Sequence, residues 1–133
     1  MPADLTKKMT PQTVGSGVHN LAPFRRFSNE EANVVVMYED TDQTLVVWNL
    51  EAGQENAPHV HPANAHTFMI LEGQGRLLHG DGTEVPVKAG DCIIIPRTVI
   101  HGIRNNGSGR LSYLAVTTNG PEGYVKQGGT GSH

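Results

Sequence analysis

The chain has 133 residues, with 13 acidic side chains against 10 Lys and Arg and a single cysteine. That length suits one domain with a real core, and the near balance of charge gives no field that favours nucleic acid or an anionic membrane. No stretch approaches the roughly 20 apolar residues of a membrane-crossing helix. The lone Cys92 excludes an internal disulfide, and Lys7-Lys8 is followed by Met9-Thr10-Pro11-Gln12-Thr13 instead of an apolar signal core, so a cytoplasmic location is expected.

Residues 1–30 show little periodicity and are expected to form an N-terminal arm or edge strand, with Phe24-Arg25-Arg26-Phe27 either packed on a sheet or reaching a neighbouring subunit. From Asn33 onward, short apolar runs alternate with Gly, Asn, Asp or Pro. Val34 to Tyr38 and Thr44 to Leu50 are rich in β-branched and aromatic residues, the signature of strands, and Asp40 to Gln43 between them reads as a hairpin turn. Further strands are predicted at 67–71, 76–79, 84–87, 92–95, 102–105 and 111–117. Many short strands without a helical period indicate an all-β fold, an antiparallel sandwich or barrel, here assigned to residues 31–120. Residues 121–133 are polar and glycine-rich and are expected to form a flexible tail.

The chemistry is concentrated in the histidines. His59 and His61 flank Val60, and side chains two apart on a strand point to one face, so both would aim at one point. Neutral imidazole is the commonest side-chain metal ligand near neutral pH, and His66 and His101 could complete such a sphere from other segments.

These residues fall into two patterns. Gly53, five residues, His59-Val60-His61, four residues, His66, six residues and Gly73 resembles the first motif of the cupins. Gly90, five residues, Pro96, and then His101 with Asn105 four positions on resembles the second, sixteen residues after the first. The resemblance implies a jelly-roll barrel of antiparallel strands, the double-stranded β-helix, with one divalent transition metal (Fe, Mn, Ni, Cu or Zn) held by His59, His61, His66 and His101. Two positions depart from the pattern: His66 stands where glutamate is usual, and Thr98 where glycine is common. An all-imidazole sphere leaves the whole charge of a divalent metal uncancelled and up to two octahedral positions open, which favours a chelating anionic oxygen ligand.

Alternation along the strands places Phe68 and Ile70 on the face of His66, and Ile103 on that of His101, so the pocket is expected to be largely apolar. Trp48 and Tyr113 read as core residues first and pocket residues second, and Arg76 as a residue able to meet a substrate carboxylate. Cys92, before Ile93-Ile94-Ile95, reads as a buried small hydrophobe, and His79, before Gly80-Asp81-Gly82, as a surface histidine. No catalytic acid or base is singled out and no organic cofactor is expected. The leading expectation is a dioxygenase-type oxidoreductase acting on a small enolic, phenolic or carboxylate substrate. The alternatives are a non-redox cyclase, lyase or isomerase and a non-catalytic binding module. Small cupins often pair through their sheets, so a homodimer is expected, with the Val34 to Met37 run as its surface.

Overall fold

The computed structural model describes residues 9–11, 14–60 and 62–119. Among these, ten strands form two sheets. They are β1 (Met9–Pro11), β2 (Asn33–Glu39), β3 (Gln43–Leu50), β4 (Glu55–His59), β5 (Asn64–Glu72), β6 (Gln74–His79), β7 (Glu84–Lys88), β8 (Cys92–Ile95), β9 (His101–Arg104) and β10 (Leu111–Asn119). The six-stranded sheet runs β1-β2-β3-β10-β5-β8 and the four-stranded sheet β4-β9-β6-β7. Every pairing is antiparallel except β1 with β2. One turn of 3-10 helix at Ala22–Phe24 is the only helix among the described residues, and none is long and apolar enough to cross a membrane.

The alternation of apolar residues explains the layering. On β2, Val34 and Val36 point into the barrel, where they join Trp48, Leu50, Phe68, Ile70, Ile103 and Tyr113 in the main core. Val35 and Met37 point the other way and form a second cluster with Val47, Leu114 and Phe24. Val14 and Leu21 pack against that outer cluster, so the segment before β2 seals it, with Phe24 where an arm or strand was expected. This corrects the expected dimer surface. Val34, Val35, Val36 and Met37 are all buried within the chain, and β2 lies between β1 and β3, so the run offers neither an edge nor a free face.

Eight strands match the predicted positions within a few residues. β1 lies at a sheet edge within the segment expected to hold an arm or edge strand, whereas β4 escaped prediction because Glu55-Asn56-Ala57-Pro58-His59 carries no β-branched residue. The hairpin turn after β2 is closed by the Asp40 carboxylate, which accepts from the amides of Asp42 (2.8 Å) and Gln43 (3.0 Å). Residues 121–133 lie outside the described residues.

The glycines of the two motifs are explained by backbone geometry. Gly53 (φ 85°), Gly73 (φ 86°) and Gly90 (φ 96°) all occupy the left-handed region, where a side chain is strained. Gly73 is further constrained, because a Cβ there would lie 2.0 Å from the Arg110 carbonyl oxygen. Thr98, at the fourth glycine position, keeps the same conformation at φ 72° despite its branched Cβ. The turn is therefore retained, and the chain carries its strain.

Two outcomes follow from these dihedrals. Thr98→Gly relieves backbone strain of about 1–3 kcal/mol against a smaller chain-entropy cost, a net stabilisation of about 1 kcal/mol read as a raised Tm. Gly73→Ala, by contrast, lowers stability by more than about 2 kcal/mol in denaturant unfolding, because the Arg110 backbone must move.

Candidate metal centre

Three of the four motif histidines lie among the described residues, and the sheet registers bring them together. His59 on β4 is the direct cross-strand partner of His101 on β9, and their ring centroids are 4.5 Å apart. His66 comes from the facing sheet on β5, and its ring lies 5.0 Å from that of His101. His101 is thus the common neighbour. His61 lies outside the described residues, and among those described no three His, Cys, Asp or Glu side chains form a metal-holding group.

A local irregularity makes this convergence possible. Between Asn56 and His59 the β4–β9 register shifts, which is a bulge, and Pro58 sits within it. The bulge needs close approach. A Cβ on Gly102 would lie 2.7 Å from both the Asn56 carbonyl oxygen and the Pro58 nitrogen. Glycine beside His101 therefore lets β4 lie against β9, and the extra residue turns both Asn56 and His59 inward.

Each imidazole is oriented through Nδ1. His59 Nδ1 donates to the Ala57 carbonyl (2.6 Å) and His101 Nδ1 to the Val99 carbonyl (3.1 Å). A carbonyl can only accept, so both rings hold their proton on Nδ1 and carry a lone pair on Nε2. His66 Nδ1 pairs with the Thr117 hydroxyl at 2.9 Å, from the residue opposite it on β10. The Nε2 atoms of all three are buried. Burial pushes the His59 pKa down to about 4, against the opposing pull of the Ala57 carbonyl, with a further downward push from His101. Burial lowers the His101 pKa as well. The rings are kept neutral, the state in which imidazole binds a metal.

The residues expected to line a pocket divide into three groups. Phe68 meets the histidines directly, with ring centroids 5.5 Å from His101 and 5.9 Å from His66. Ile70, Ile103, Trp48 and Tyr113 are fully packed in the barrel core, and Tyr113 lies 5.1 Å from Phe68 and is stacked on Trp48 at 6.3 Å. The Tyr113 hydroxyl accepts from Asn56 Nδ2 at 3.2 Å, and burial raises its pKa far above the ordinary phenol range, so it holds its proton. Arg76 does not join them. Its neighbours Gly75 and Leu77 are buried while it is half-exposed, so alternation turns it to the outer face of β6, where it lines a separate cleft with Gln74 and Asn106.

Cys92 is exposed instead of buried. Ile93 and Ile95 take the inward positions of β8, which leaves Cys92 and Ile94 outside. Asn105 closes the second motif as a structural staple, with Nδ2 donating to the carbonyls of Leu50 (2.9 Å) and Gly109 (2.8 Å). Asn56 and Thr117 were not foreseen. Period-two reading from His59 places Asn56 outward, and only the bulge, signalled by Pro58, reverses it.

With this geometry established, the relationship to known proteins is direct. Residues 46–117, more than half of the chain, match the cupin domain family. The chain belongs to the cupins. An oxalate-binding protein of Thermotoga maritima is 36% identical over 67 residues, covering 50% of this cupin and 54% of that relative, so the chain spans about half of its length. The crystal structure of an uncharacterized conserved protein with a double-stranded β-helix domain from Klebsiella pneumoniae superposes with a TM-score of 0.75 at 32% identity, covering 80% of this chain and 93% of that one. A predicted oxalate decarboxylase from Thermotoga maritima gives a TM-score of 0.62 at 25% identity, covering 66% and 80% respectively.

Two measurements test the centre. The folded state resists protonation of His59 down to about pH 4, whereas an unfolded histidine takes up its proton near pH 6.5. The unfolded state therefore binds more protons in that window, and metal-free stability falls as pH drops from about 6.5 toward 4. In His59→Gln, urea midpoints measured across the same window show a smaller decline. Gly102→Ala lowers stability by more than about 2 kcal/mol and broadens or shifts the His59 and His101 ring resonances in NMR, because β4 is forced off β9.

Proposed function

We propose that this cupin is a metal-dependent oxidoreductase of the dioxygenase type, acting on a small chelating carboxylate, enol or phenol. The observation that carries the reading is the pair of Nδ1–H donations to the Ala57 and Val99 carbonyls, which leave His59 and His101 with buried Nε2 lone pairs beside His66. Metal-binding histidines characteristically donate their other ring N–H to such an acceptor. The donor set fits a divalent transition metal, and His59, His61, His66 and His101 would hold it. A bound metal would supply Lewis acidity toward the substrate oxygens and, where redox-active, a path for electrons to dioxygen.

The remaining steps belong to the chain. Four neutral imidazoles cancel none of a cation's charge, so the site selects an anionic oxygen ligand. The Phe68 ring, buried between His101 and Tyr113, excludes water from one side of the histidines. Tyr113 keeps its proton and serves as floor, not as base. A second reading, metal-dependent binding without turnover, is favoured by the similarity to an oxalate-binding protein.

Elemental analysis of protein purified without added metal, beside His66→Ala, tests the site. The expected result is near-stoichiometric Fe, Mn, Ni or Cu, reduced at least tenfold in the variant, with oxygen uptake on adding a chelating acid. Tightly held zinc alone, with no oxygen uptake, moves the protein to the binding or non-redox class. The Thr117 hydroxyl acts through His66, so Thr117→Val weakens metal affinity by about tenfold in a chelator competition while leaving Tm of the metal-free protein nearly unchanged.

A further inference from the structure

His79 was expected at the surface; the register turns it to the face of His101, where it is half-buried. It is the cross-strand partner of His101 on the side opposite His59, so β4, β9 and β6 carry three histidines in one row across the four-stranded sheet. Directly opposed residues of an antiparallel pair share a face, with Cβ atoms about 4.5–5.5 Å apart. His79 is half-buried and stands where two hollows meet. One, of about 470 Å³, lies between the Gly80–Thr83 turn and the loop of the strained Thr98. The other, of about 420 Å³, lies in the seam between β7 and β8, one edge strand from each sheet.

The seam is built for apolar contact. Leu77, Val85 and Val87 line it from β6 and β7, and Ile93 from β8. Val85 pairs with Leu77 and so faces inward, but it remains 43% exposed because no strand covers it. On the opposite wall Ile93 pairs with Phe68, whose ring touches His101. The strands of both walls thus pair with those that carry the histidines, β6 with β9 and β8 with β5. The one acidic group on this cavity, Asp91, is occupied by the Lys88 amide (2.9 Å) and ammonium (3.6 Å).

We infer that the β7–β8 seam holds the body of the ligand whose chelating end meets the histidine centre, with His79 as the hydrogen-bonding contact where the two join. This rests on the metal-site reading above and narrows it: the ligand is an acid with an aliphatic or aromatic body, not a small dicarboxylate. Oxalate would be consumed entirely by chelation and would leave the seam empty. The body gains affinity by burying apolar surface against the four aliphatic walls, while one imidazole fixes its orientation.

The test uses metal-loaded full-length protein, titrated calorimetrically with pyruvate and with phenylpyruvate, which share a 2-oxo acid head and differ in the body. Metal content and Tm are recorded for every variant. The expected result is at least tenfold tighter binding of phenylpyruvate by the wild type. Val85→Trp, which fills the seam from its exposed wall, abolishes that preference and leaves pyruvate affinity within twofold. His79→Leu weakens both acids by about tenfold and keeps the metal. Equal affinity for the two acids, or a preference that survives Val85→Trp, overturns the inference and leaves the metal site standing. Wild-type protein that takes up no metal overturns both.

Discussion

The contact between β4 and β9 at Gly102 governs the geometry of the site. Any side chain there would meet the Asn56 carbonyl and the Pro58 ring nitrogen, so the two strands approach only because position 102 has none. The close approach admits the bulge, and the bulge adds the residue that brings Asn56 and His59 to the same inward face. Without it, period-two alternation would turn one of them to solvent. Once His59 faces inward, its pairing with His101 is fixed by register, and His101 is already fixed to His79 on its other side. The facing sheet contributes His66 through the β5–β10 pairing, which also supplies Thr117. The missing side chain at position 102 thus sets the place of His59, while the β6–β9 and β5–β10 registers set those of His101, His79 and His66.

The manner in which the rings are held has its own consequence. His59 and His101 use the same local device, a carbonyl two residues upstream in the chain. A neutral acceptor fixes the tautomer and draws the ring toward the imidazolium less strongly than a carboxylate partner would. Desolvation then dominates, and the His59 pKa falls to about 4. The fold thereby keeps both rings toward the neutral state that a metal would require. A metal held by these two rings would have no proton to displace from Nε2.

Much of this was legible in the sequence. The strands from β5 to β10 announce themselves by alternation and by glycine punctuation, and the spacing of Gly53, Gly73 and Gly90 proves to be a spacing of left-handed turns. What was not legible depends on non-local pairing. Arg76 and His79 lie three apart on one strand, so they face opposite ways, and nothing in the local sequence says which faces inward until Leu77 is known to be core. Cys92 beside three isoleucines reads as buried, but β8 is a sheet edge whose outer face has no cover. β4 fails both ways, because its residues lack β propensity and its register is broken by a bulge.

The seam between β7 and β8 poses a problem that its sequence solves only in part. Exposed sheet edges invite pairing with other chains, and proteins blunt them with proline and charge. β7 does so with Pro86, which lacks an amide proton, and with Glu84 and Lys88 at its two ends. These devices act on the backbone edge. The inner side-chain face behind that edge is left apolar, with Val85 43% exposed beside Leu77, Val87 and Ile93. A seam protected solely against aggregation would carry polar groups on that face too. Blocking strand addition while keeping an apolar hollow beside His79 is the combination that admits a small molecule and refuses a polypeptide.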